Sequence, residues 1–122
     1  MDTVAFEHHL TSPQGQGRLP AEAFTVLAHG GSCCDRIRFS LSTDGELVTD
    51  AGFDAEGCGS ASAAGSAAVT LVRGQGLLTA ARIGAGEIAA ELGGLSPGKL
   101  HAAELAADAL ARALGAAVRA RA

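Results

Sequence analysis

Two short clusters in this chain carry side chains that can bind metal or attack an electrophile: Cys33-Cys34-Asp35, and Cys58 within Gly57-Cys58-Gly59-Ser60. Together they hold all three cysteines of the chain. Thiolate and carboxylate are the ligand types that borderline and soft metals and iron–sulfur clusters select. Cys58 stands where an alternating strand pattern hands over to a helical one. The unpaired N–H groups and positive dipole end of a helix start favour a thiolate, which makes such a cysteine a better nucleophile and ligand. The plainer alternative is that Cys58 is a small buried hydrophobe. His101 opens the last long helical pattern, where the dipole disfavours imidazolium and leaves a nitrogen lone pair for a metal; capping or simple exposure is the competing reading. His8 and His9, at the end of a short helical stretch, read as a solvated helix end rather than as ligands.

The elements that must position these groups follow from periodicity. Val4 to Thr11 reads as a short helix ending before Ser12-Pro13, and Gly15 and Gly17 prevent its continuation. Residues 21–28, with Phe24, Val26 and Leu27, suggest a first strand. Next comes the clearest strand, in which Ile37, Phe39 and Leu41 alternate with Arg36, Arg38, Ser40 and Ser42. Asp44-Gly45 closes a hairpin, and residues 47–55 return with Ala51, Phe53 and Ala55 on one face and Asp50 and Asp54 on the other. That hairpin brings Asp35, at its start, near Cys58, just past its end. An Ala/Ser-rich helix spans residues 59–72; two short helical pieces follow, at 77–83 and 87–92, and a final helix runs from Leu100, with Ala103, Ala107, Leu110, Leu114 and Val118 at helical spacing. The expected architecture is α+β: a small antiparallel β-sheet of about three strands with helices packed on one face, forming a single domain over residues 1–122. The helical tail leaves room for this to be one module of a longer protein.

Composition narrows the function classes. A net charge of −4 and a pI near 5.4 argue against direct nucleic-acid binding. The sequence has no leader-like N-terminus and no apolar run of membrane-spanning length. An odd cysteine count with two adjacent thiols suits a reducing, cytoplasmic setting better than structural disulfides. The apolar content comes mostly from Ala, Leu and Val, so the core is expected to be thin and closely packed by small side chains. No nucleophile elbow, phosphate loop or acid–base carboxylate pair appears, so an enzyme is not expected.

In combination, these residues resemble the iron–sulfur cluster assembly scaffold family of IscU and the N-terminal domain of NifU. The resemblance is carried by Phe6, His8, His9 and Pro13; by Cys33 and Asp35 after a Gly-rich loop; by the hairpin ending in Phe53; by Gly57-Cys58-Gly59-Ser60-Ala61; by Ile88 to Leu92; and by Leu95, Pro97, Lys99 and His101. It implies that Cys33, Asp35, Cys58 and His101 bind Zn2+ or a [2Fe–2S] cluster, and that sulfur arrives as a persulfide from a cysteine desulfurase. The cargo would then pass to a downstream iron–sulfur or sulfur acceptor protein.

Three departures from the family pattern matter. Its third cysteine, expected after the histidine, is Ala102 here. Cys34 replaces a glycine, so it becomes a further candidate ligand and, with Cys58, a candidate persulfide acceptor. Ser96 and Gly98 interrupt the family's chaperone-recognition segment. The missing cysteine keeps a second reading open: a degenerate sulfur-transfer or desulfurase-docking adaptor, for example for tRNA thiolation, that assembles no cluster. A third is an interaction domain that has kept only the fold.

Overall fold

The computed structural model describes residues 3–17, 24–29, 36–57, 59–94 and 100–121. The elements in chain order are α1 (Thr3–Thr11), β1 (Phe24–His29), β2 (Arg36–Thr43), β3 (Val48–Glu56), α2 (Gly59–Val72), α3 (Leu77–Ala80), α4 (Ala85–Glu91) and α5 (Leu100–Arg121). The strands form one antiparallel sheet in the order β1-β2-β3. This is the α+β architecture expected from the sequence. The first strand is observed from Phe24, residues 21–23 lying outside those described.

Alternation along β2 sets the sheet's two faces. Ile37, Phe39 and Leu41 are fully buried, while Arg36 and Arg38 are exposed. In register, Phe39 opposes Phe53 and Leu41 opposes Ala51, so the apolar residues of β3 join the same face. The four-residue connection between Thr43 and Val48 is tied by Asp44, whose carboxylate accepts the N–H of Glu46 (2.9 Å) and of Leu47 (2.8 Å). Gly45, with φ of 101°, supplies the left-handed backbone that this turn needs. The two backbone hydrogen bonds hold the Asp44 carboxyl below the usual carboxylate range, although it is fully exposed.

α2 packs on β3 and β2, and α5 packs on β1 and β2 and against α2. Their contact is thin, as expected from the composition: Ala61, Ala63, Ala64, Ala67 and Ala68 of α2, and Ala102, Ala103, Ala106, Ala109 and Ala113 of α5, are all fully buried. The closest approach is at Gly65, where an added Cβ would lie 2.5–2.9 Å from three ring atoms of Phe53. The buried stripe of α5 is wider than the spacing suggested, because the helix is covered by the sheet, α2 and α4 at once. Its expected core position Val118 lies instead at the margin, 50% exposed.

The two short helices also differ from expectation. α3 stops at Ala80 because Arg82 and Ile83 donate to the carbonyls of Thr79 and Ala80, tightening the chain into 3₁₀-type turns before Gly84. α4 starts at Ala85, ahead of the expected start at Glu87, because the Glu87 carboxylate accepts the N–H of Gly84 (2.8 Å), the half of a capping box that a glycine N-cap allows.

Candidate functional site

The β-ladder fixes where the two cysteine clusters enter the fold. Arg36, the residue after Asp35, and Glu56, two residues before Cys58, are direct register partners at the end of β2 and β3. Their side chains form an ion pair at 3.0 Å on the outer face of the sheet. His29, the last residue of β1, opposes Arg36 from the other side. The chain therefore leaves β1, enters β2 and leaves β3 at one end of the sheet. α2 starts at that same end with Gly59, and Leu10 of α1 lies against it: a Cβ at Gly59 would meet Leu10 Cδ1 at 2.9 Å.

The direction of α5 follows from its far end. Backbone bonds from Gly74 to Val48 (2.8 Å), from Val48 to Gln75 (2.8 Å) and from Leu77 to Glu46 (3.0 Å) stitch the segment after α2 to the hairpin turn, so α3 sits at the turn end of the sheet. Leu114 and Val118 of α5 line a groove with Leu77 and Leu78 of α3, which puts the C-terminal half of α5 at the turn end as well. A helix of 22 residues is about 33 Å long, comparable to the sheet. Its first turn, with half-buried His101, is thus directed toward the end where Arg36 and Glu56 meet. Next to it, Ala102 is fully buried.

Of the candidate ligands read from the sequence, His101 alone is described; Cys33, Cys34, Asp35 and Cys58 lie outside the described residues. Among the described residues, no group of three or more His, Cys, Asp or Glu side chains is placed to hold a metal ion.

The structure corrects the reading of His9. His8 is exposed, but His9 is 3% exposed and works as a clasp between helices. Its Nδ1 lies 2.6 Å from Ser66 Oγ on α2, and its Nε2 lies 2.8 Å from Glu91 Oε2 on α4. Ser66 Oγ also accepts the backbone N–H of Gln14 at 2.7 Å. Donors and acceptors balance if the Ser66 hydroxyl donates to Nδ1 and the Nε2 hydrogen donates to Glu91. A Ser–His–acid chain suggests a nucleophile relay, but Ser66 is fully buried and its oxygen is already engaged. The arrangement docks α1 on α2 and α4. Two sequence features agree with it: His9 follows Phe6 by three residues, on one helix face, and Ser66 lies within an Ala- and Val-rich run.

Comparison with known proteins gives a consistent family. Residues 2–121 match the family model described as the NifU-like N terminal domain. The chain is 40% identical over 107 residues to the bifunctional protein NifU/MnmA of Rubrobacter xylanophilus, covering 86% of this chain and 22% of that protein. It is 38% identical over 90 residues to the iron–sulfur cluster assembly protein IscU of Plasmodium falciparum, covering 74% of this chain and 55% of that one. With the scaffold protein IscU of Rickettsia prowazekii the identity is 36% over 110 residues, covering 87% and 83%. The chain thus spans about a fifth and about half of the first two relatives. Among solved structures, the SUF-system scaffold candidate of Fervidobacterium islandicum superposes with a TM-score of 0.70 at 16% identity, over 90% of this chain and 93% of that one. The N-terminal NifU-like protein of Brucella abortus gives a TM-score of 0.62 at 22% identity, over 97% and 94%. These two likenesses concern the fold.

Proposed function

This chain belongs to the family of NifU-like N-terminal domains, and we propose that it works as an iron–sulfur cluster assembly scaffold whose cargo is held by Cys33, Asp35, Cys58 and His101. The observation that carries this reading is the Arg36–Glu56 pairing, which brings the flanks of Asp35 and Cys58 together, with the His101 end of α5 directed toward them. Two thiolates, a carboxylate and an imidazole form a mixed donor set suited to tetrahedral Zn2+ or to a labile [2Fe–2S] cluster. A carboxylate ligand in place of a thiolate suits a site that must give its cluster away. Cys34 is a further candidate ligand.

Sulfur would come from a cysteine desulfurase. In the transfer, a thiolate at Cys58, or at Cys34, attacks the outer sulfur of the desulfurase persulfide; a new S–S bond forms on the scaffold, and the desulfurase cysteine departs as a thiolate. Position 58 directly precedes α2, a helix of 14 residues whose start favours negative charge. Thiols kept free for this chemistry place the protein in a reducing compartment such as the cytoplasm. Among the described residues, no helix is long and apolar enough to cross a membrane.

The test is metal and acid-labile sulfide analysis of anaerobically purified protein, beside Cys58→Ala and Ala102→Cys variants. Scaffolding predicts iron with sulfide, or zinc, in the parent, loss in Cys58→Ala, and firmer retention when the family's cysteine is restored at position 102. A protein that accepts persulfide sulfur from a desulfurase yet binds neither zinc nor cluster would instead be the sulfur-transfer adaptor.

A further inference from the structure

At the turn end of the sheet, away from the cysteine-bearing loops, α3 and the C-terminal half of α5 leave an apolar groove of about 480 Å³. Leu78, 86% exposed, and Val118, 50% exposed, form its walls. Buried Leu77 and Leu114 lie beneath, and Ala81, Ala111 and Gly115 line it with small side chains that allow a partner backbone to approach closely. Two exposed aliphatic walls around such a floor suit a segment that buries an apolar stripe between them.

The charge around this groove opposes that of the whole chain. Among the described residues, Arg119 is the one charged residue that lines it, in a protein of net charge −4, while Asp108 lies one helical turn before Ala111 and the Glu46 carbonyl accepts the N–H of Leu77. Arg73 faces Asp50 at 3.8 Å, and Arg112 pairs with Asp108 at 3.0 Å. Arg119, which lines the groove, and Arg82, next to groove residue Ala81, meet no acidic side chain among the described residues. A second copy of the chain would bring the same uncompensated arginines against each other. A nucleic-acid backbone would gain charge contacts but leave the aliphatic walls wet.

We infer that this groove docks an acidic amphipathic helix of a partner protein, its apolar stripe between Leu78 and Val118 and its carboxylates against Arg119 and Arg82. Such a helix-in-groove contact is read through anchors at helical spacing, with charge setting partner choice and approach rate. The surface is separate from the cysteine-bearing end, so the inference stands independently of the cargo reading.

Fluorescence anisotropy on the intact chain tests it, using a labelled synthetic helical peptide with leucine at every third and fourth position and glutamate elsewhere, beside its lysine counterpart. The glutamate peptide should bind and the lysine peptide should not. Leu78→Asp should weaken binding by at least about tenfold, and Arg119→Glu should reverse the preference between the two peptides. Both side chains are exposed, so neither change threatens folding. The inference is overturned if the two peptides bind alike, if neither binds, or if Leu78→Asp leaves binding unchanged. Self-association or single-stranded RNA binding that Leu78→Asp abolishes would also overturn it, by giving the groove another occupant.

Discussion

Adding a single methyl group at Gly65 tests how closely α2 must approach the sheet. An ideal Cβ there would lie 2.5, 2.7 and 2.9 Å from Cδ2, Cε2 and Cγ of Phe53, whereas unstrained carbon pairs sit about 3.5–4.0 Å apart. Relief needs a movement of roughly 1 Å by the ring or the helix. The ring has little freedom, being fully buried and opposite Phe39, while its own backbone is pinned by Gly17 N–H to Phe53 O (2.7 Å) and Phe53 N–H to Gly15 O (3.0 Å). Overpacking of this kind costs about 1–3 kcal/mol, and three simultaneous contacts put Gly65→Ala at the upper end. Replacing a mid-helix glycine by alanine returns about 1 kcal/mol. The net expectation is a loss of about 2 kcal/mol, or roughly 6–12 °C in Tm for a chain of this size. Chemical denaturation followed by circular dichroism measures it. Gly86→Ala is the control, since a Cβ there meets nothing within 4 Å; it should be neutral or stabilising by up to about 1 kcal/mol. Combining Gly65→Ala with Phe53→Leu should recover at least about 1 kcal/mol relative to the sum of the single changes. Gly65→Ala as stable as the parent, or strict additivity with Phe53→Leu, would refute the close approach and with it the seating of α2 that carries Gly59 to the end of the sheet.

Two further outcomes follow from the polar contacts. His9→Ala removes the hydrogen bonds to Ser66 and Glu91 and leaves a void under α1; it should cost about 2–3 kcal/mol. Amides of α1 should then exchange much faster than those of β2 in native-state hydrogen exchange, and unchanged protection of α1 would show that the clasp is not what docks it. The Asp44 carboxyl titrates below the usual range because the N–H groups of Leu47 and Glu46 favour its charged form. A group whose folded value is depressed contributes stability that is present above its unfolded value and lost as pH falls through the folded one. The hairpin turn should therefore loosen on acidification below about pH 4, and Asp44→Asn, which keeps an acceptor oxygen but cannot titrate, should flatten that part of the profile in amide-resolved NMR.

How much of this was legible in the sequence depended on whether a local rule had a competitor. β2 and β3 were readable because period-two alternation between Ile37, Phe39, Leu41 and the charged residues agrees with the turn chemistry at Asp44-Gly45. α5 was readable as a helix, but its buried width was not, since a single period cannot tell one covering layer from three. The short helices shifted for reasons that periodicity does not encode: a carboxylate reaching back to Gly84, and 3₁₀ bonds closing at Ile83. His9 was misread for the same kind of reason. Two adjacent histidines at a helix end look solvated until Ser66 and Glu91, 57 and 82 residues away, are brought to either side of one ring. His9 and Glu91 both belong to segments that carry the family resemblance, so that resemblance reflects, in part, a helix-docking requirement as well as cargo chemistry. Ala102 separates the two requirements. Full burial at the start of α5 is met by alanine as well as by cysteine, so the fold is kept while a thiol is lost.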